Sequence, residues 1–166
     1  MIVADTNILS TFARIHRLDL LFKVMKVEVF VLPPSVEREL RAGLDKGLEF
    51  LRPILDDLAQ NRAFALASLT DAESTYQTAL PRGLNAGERE GIAICASRAG
   101  AVFLSNDKQA KKYCRANRIL FADLQLILRR LWQSGLFSQD EVRSLIQEIE
   151  ESEPGMTIPD QREIWY

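Results

Sequence analysis

Histidine occurs once and cysteine twice in the 166 residues. A zinc site of imidazoles and thiolates is short of ligands, and a disulfide framework has too few partners. Cys95 and Cys114 stand in helix-like stretches without CxxC spacing, so both read as buried core residues of a reducing compartment. No apolar run approaches the ~20 residues that span a bilayer. The N-terminus has neither the basic region nor the long apolar core of a signal peptide, so a cytoplasmic protein with no membrane partner is expected. An excess of charge is missing too. Against 23 Asp and Glu stand 21 Lys and Arg, a formal net charge of −2. That excludes coating of nucleic acid by bulk charge and leaves only a local basic face.

What is present is a 47% hydrophobic chain, long enough to bury one core without staples. The expected organisation is a single domain over residues 1–150 and a C-terminal tail over 151–166. Short apolar runs alternate with helical patterns. Strands are expected at 1–4, at VEVFVL (27–32), at RAFALAS, at AVFLS and at RILFA; helices are expected at 6–15, 17–25, in SVERELRAGL, at 46–59, in NAGEREGIAICASRA, in KQAKKYCRAN, at 123–134 and at 138–150. The last opens on a capping box, Ser138 with Glu141. Residues 70–82 read as a loop or irregular helix. The alternation implies right-handed crossovers and a three-layer α/β/α sandwich around a mainly parallel sheet of four to five strands.

Sites in such sheets lie beyond the carboxyl ends of the strands. Acids recur at that edge: Asp5 after the first strand, Glu37 and Glu39 after the second, Glu88 and Glu90 in the helix before the fourth, and Asp107 after the fourth. Each has an ordinary explanation as a helix cap or a first-turn acid, and Asn85 with Glu88 forms a capping box. Together, four or more carboxylates at one edge are costly unless a cation sits among them. With oxygen ligands alone, that cation is Mg²⁺ or Mn²⁺, which commonly acts on phosphate.

These stretches resemble the PIN-domain nucleases, and especially the VapC-like toxins of toxin–antitoxin pairs. The resemblance runs through MIVADTNILS, PPSVEREL, LNAGEREGIAICAS and AVFLSNDKQAKKY, about the first 120 residues. It implies a metal site of Asp5, Glu39, Glu90 and Asp107, with Asn7 and Ser105 as polar neighbours and Glu88 as a secondary candidate. Spacing leaves Glu37 and Glu39 equal, and the family pattern of Glu before Leu selects Glu39; Glu90 is preferred because Glu88 already caps. The chain departs from the pattern in carrying glutamate where many members have aspartate, and Ser105 where threonine is commoner. Other αβ folds fail on named residues: Asn7 stands where a dehalogenase-like phosphatase needs a second aspartate, and the first turn lacks the glycines of a dinucleotide site.

The implied activity is a Mg²⁺- or Mn²⁺-dependent endoribonuclease, the toxin of such a pair, with RNA and a protein antitoxin as partners. The alternatives are a non-catalytic RNA-binding or adaptor PIN domain and a structure-specific DNA nuclease. In DKQAKKYCRANR the cations Lys108, Lys111, Lys112, Arg115 and Arg118 recur at spacings of three and four, so a helix gathers them beside Asp107 as an RNA-binding face. The apolar Leu18, Leu20, Leu21 and Phe22 offer surface for a homodimer. His16 and Trp132 read as structural residues.

Overall fold

The computed structural model describes residues 1–158 and 161–166. Five strands form one sheet: β1 (Ile2–Ala4), β2 (Phe30–Leu32), β3 (Phe64–Leu66), β4 (Val102–Leu104) and β5 (Phe121–Ala122). Every pair is parallel, in the order β3-β2-β1-β4-β5, with Val3 opposite both Val31 and Phe103. The strands are short and apolar because helices cover both faces, which leaves no solvent side for alternate polar residues. Ile2 and Ala4 enter one core and Val3 the other, following the two-residue period of a strand.

The first core lies under α1 (Thr6–Arg14), α2 (Leu18–Met25), α3 (Pro34–Asp45), α4 (Arg52–Ala59), α8 (Leu124–Gln133) and α9 (Gln139–Ser152). The second is covered by α5 (Asp71–Thr78), α6 (Ala86–Ser97) and α7 (Lys108–Ala116). This is the α/β/α sandwich expected. Cys95 and Cys114 are buried free thiols in the second core, and burial pushes both above the usual thiol range. Leu20 and Leu21 are buried in the first core, with Leu18 and Phe22 partly buried against it.

Two details differ from the pattern reading. Residues 71–78 form a helix, opened by a capping box in which Thr70 and Glu73 satisfy each other's backbone N–H groups. The stretch at 46–59 divides into a 3-10 turn at Glu49–Leu51 and α4. The tail ends in α10 (Arg162–Trp165), where Ile164 is buried and its carbonyl accepts from Trp132 Nε1 at 2.7 Å. No helix among the described residues is long and apolar enough to cross a membrane.

One glycine sets how closely α6 lies on the sheet. A Cβ at Gly91 would stand 2.3 Å from Cε2 of Phe103, a ring with 1% exposure in the second core. Gly91→Ala is therefore expected to lower stability by about 1–3 kcal/mol or more, through overpacking that the buried ring cannot relieve. Urea unfolding of the variant beside the parent measures it.

Candidate functional site

The strand order reverses between β1 and β4, where ligands of open parallel sheets collect. The N-termini of α1, α3, α6 and α7 all meet this carboxyl edge, because each helix either follows one of these strands or, for α6, runs back to start β4. Their dipoles bring partial positive charge to it.

Asp5 is the centre of the site. It ends β1 and caps α1, with Oδ1 accepting from Thr6 N at 2.8 Å and Oδ2 from Ser105 Oγ at 3.1 Å. Its exposure is 1%. The Ser105 hydroxyl in turn accepts from Asp107 N at 3.2 Å, so one side chain ties the ends of β1 and β4 together. Asp107 caps α7 by accepting from Ala110 N at 2.8 Å. Asn7 Oδ1 accepts from Asn106 N at 3.2 Å and braces the same loop.

Two further carboxylates face this pair. Thr6 Oγ1 donates to Glu39 Oε2 at 2.5 Å, which draws the second turn of α3 toward α1. Glu37 pairs instead with Arg41 on its own helix. Glu88 closes a capping box on α6, accepting from Asn85 N at 2.9 Å, and is nearly buried.

Burial, then the charge of Glu88 and more weakly that of Glu39, raises the Asp5 pKa to about 7, against the lowering effect of its Thr6 and Ser105 hydrogen bonds. Glu88 is shifted up as well, by burial and by the charges of Asp107 and Glu39. Asp5, Glu39, Glu88 and Asp107 thus form one electrostatically coupled group.

Glu90 does not join it. Its carboxylate accepts from Ser35 N at 2.7 Å and Ser35 Oγ at 2.6 Å, with Arg38 Nη2 at 3.5 Å. The cause is local: Pro33 stands at the N-cap of α3 and has no side chain to offer the first-turn N–H groups, so an acceptor must come from elsewhere. Residues two apart on a helix point to different sides, which gives Glu88 to the acid group and Glu90 to α3. The bare Pro-Pro-Ser start of α3 was the sequence signal for this second role.

The donor set of the group is all oxygen, which suits a hard divalent cation. Among the described residues, however, no three acidic, histidine or cysteine side chains are drawn together into a ready-made metal cage.

The basic residues divide. Lys108 and Lys112 are exposed on α7. Lys111 is committed to Asp123 Oδ2 at 3.0 Å, with side chains 17% and 13% exposed. Arg115 lies over the Phe121 ring at 5.5 Å, and Arg118 follows the helix end with φ of 57°. An open cleft of about 670 Å³ adjoins the acid group, between α1, the start of α7 and the turn at Glu153–Met156.

The sequence pattern of a family described as PIN domain matches residues 1–162. Among curated proteins and solved structures, none matches the chain.

Two outcomes follow from this electrostatic arrangement. An acid whose folded pKa is raised holds its proton more tightly folded than unfolded. The stability this gives is complete below the ordinary value of 3.8 and is lost as pH rises through about 7. In EDTA, the protein should therefore be more stable at pH 5 than at pH 8. Asp5→Asn, which keeps the cap, should reduce that difference and raise the melting temperature at pH 8; denaturation curves at both pH values measure it. Lys111→Ala, by contrast, strands the half-buried Asp123 and should cost about 1–3 kcal/mol of stability, read by the same unfolding curves.

Proposed function

The chain belongs to the PIN-domain family, and on that premise we propose that it is a metal-dependent endoribonuclease that hydrolyses RNA phosphodiester bonds, the toxin of a toxin–antitoxin pair. The PIN-type fold and the position of the acid group at the carboxyl edge of the sheet support this reading. One observation carries the reading: Asp5, Glu39, Glu88 and Asp107 converge on one strand edge with their charges uncompensated by any cationic side chain among the described residues. Carboxyl pKa values raised by burial and like charges are a feature of functional sites.

In this reading the four carboxylates would hold Mg²⁺ or Mn²⁺, the cation offsetting the like charges that act on Asp5 and Glu88. When bound, the ion stabilises charge developing on the phosphate and lowers the pKa of its water. The chain's own residues do the positioning. Ser105 and Thr6 aim the two Asp5 oxygens, and Thr6 steadies Glu39. Glu90, by holding Ser35 and Arg38, fixes the α3 start from which Glu39 projects. Lys108 and Lys112 offer positive charge to the RNA backbone at the start of α7. The antitoxin and the choice of RNA over DNA draw their support from the likeness to VapC-type toxins in the motifs quoted above.

The test separates the two glutamates of α6. With Mn²⁺ and single-stranded RNA, the parent should cut and EDTA should stop it. Asp107→Asn and Glu88→Gln should lose on the order of a hundredfold or more in rate, the scale of a metal's contribution. Glu90→Gln should keep most of its activity and melt at lower temperature. Saturating Mn²⁺ should stabilise the parent by about 2.7 kcal/mol at a hundredfold excess over Kd and Glu88→Gln by less. Cleavage lost in Glu90→Gln but kept in Glu88→Gln would return Glu90 to the metal site. DNA cut in preference to RNA would replace the substrate, and no cleavage with either would favour an adaptor.

A further inference from the structure

Resting on the nuclease reading, we propose that the cleft beside the acid group holds the stretch of RNA strand adjoining the phosphate that is cut, with Arg14 and Lys108 bound to its phosphates. The cleft's volume of about 670 Å³ is within the range of ligand sites. Asn7 and Asp107 line it, so it opens directly from the coupled carboxylates.

Its two cations have no carboxylate partner among the described residues. The Arg14 guanidinium lies 4.5 Å over the Phe50 ring, and its buried Nε has no hydrogen-bond partner. Neither Arg14 nor Lys108 forms an ion pair among the described residues, whereas Arg41, Arg52 and Arg62 each hold a carboxylate. A cation that lines a cleft without being ion-paired to a carboxylate can take an anionic ligand.

Geometry makes that ligand longer than one phosphate. Arg14 follows Asn7 by seven residues on α1, two turns or roughly 10 Å along the axis. A strand spanning the acid edge and Arg14 therefore carries more than one phosphate. Between them, Ser10 and Asn106 line the cleft and present the neutral donors and acceptors that a ribose 2′-hydroxyl can use.

The outer wall is built by the chain. Gly155 turns with φ of 82°, Met156 N donates to Glu153 O at 3.0 Å, and Ile158 is buried with its N–H on Glu150 Oε1 at 2.8 Å. Pro154 and Met156 give this wall apolar surface on which a base face can lie, and the charge of Glu153 turns phosphates toward the α1–α7 side.

The experiment uses the full chain carrying Glu88→Gln, expected to bind RNA while cutting it at least about a hundredfold more slowly, and single-stranded RNA of about ten nucleotides in two unrelated sequences. Lys108→Gln and Arg14→Gln should each weaken binding of both by about tenfold and lower the salt slope by roughly 0.7 per contact. The loss should be equal for the two sequences, because phosphate contacts carry no base information. Lys46→Gln, at the opposite end of α3, should change nothing. Lys108 is exposed at the first position of α7, so its variant reports even where Arg14→Gln disturbs the Phe50 contact. Unchanged affinity and slope in Lys108→Gln, with RNA still bound and cut by the parent, overturns the cleft assignment alone. Equal binding of DNA overturns the RNA strand as its occupant. RNA bound through Arg14 and Lys108 but never cut sustains the cleft and removes the nuclease reading, whereas a parent that binds no RNA removes both.

Discussion

A carboxylate buried at the end of the central strand, among other carboxylates, is the constraint around which this edge of the molecule is arranged. Asp5 is covered almost completely, yet like charges on α3 and α6 act on it. Neither burial nor like charge favours an ionised acid. The structure offsets the cost with fixed dipoles: the Thr6 N–H, the Ser105 hydroxyl and the converging N-termini of four helices. Asp5, Asp107 and Glu88 accept from such donors as capping groups of α1, α7 and α6, so groups that start the helices are also groups that assemble the site. That shared use explains why each acid, taken singly, looks structural.

The division of labour on α6 follows from the same economy. Glu88 both caps its helix and meets the acid group, whereas Glu90 reaches across to α3, whose proline start leaves N–H groups without an acceptor. Breaking the Glu90 contact would act on Glu39 at one remove, through the position of α3. A similar pattern holds the other face. Arg98 at the end of α6 binds Glu73, itself the capping residue of α5, so a local cap becomes a tertiary tie. Lys111 and the Asp123 cap of α8 repeat the device beneath the basic face of α7.

The acid edge and the basic helix meet at Asp107 and Lys108, adjacent residues on either side of a helix start. Anion-binding and cation-binding features stand side by side there for a topological reason. β4 ends in the middle of the sheet, beside β1, and the helix that follows must begin at the switch point. The cleft adds a third wall, because the chain beyond α9 folds back and anchors Ile158 and Ile164 in the first core.

Much of this was legible in local pattern. Apolar runs such as VFL and FVL can bury both faces only between helix layers, and their alternation with helices specifies a parallel sheet whose carboxyl edge collects Asp5, Glu37, Glu39, Glu88, Glu90 and Asp107. The helix at 71–78 was obscured because its side chains are mainly polar, although Thr70 and Glu73 announced its start. Spacing could not decide which acids point inward. Glu88 and Glu90 differ only in which neighbour meets each carboxylate, and that depends on how α6 lies on α3 and the sheet, with Gly91 against Phe103. Lys111 is indistinguishable from Lys112 in sequence, but packing sets Asp123 beside one and solvent beside the other. Sequence by itself determined the layers, the caps and the edge where charge gathers, because those follow from residue-level periodicity and hydrogen-bonding capacity. Only the tertiary structure decided which carboxylates share that edge and which cations are left open, because that depends on distances between segments far apart in the chain.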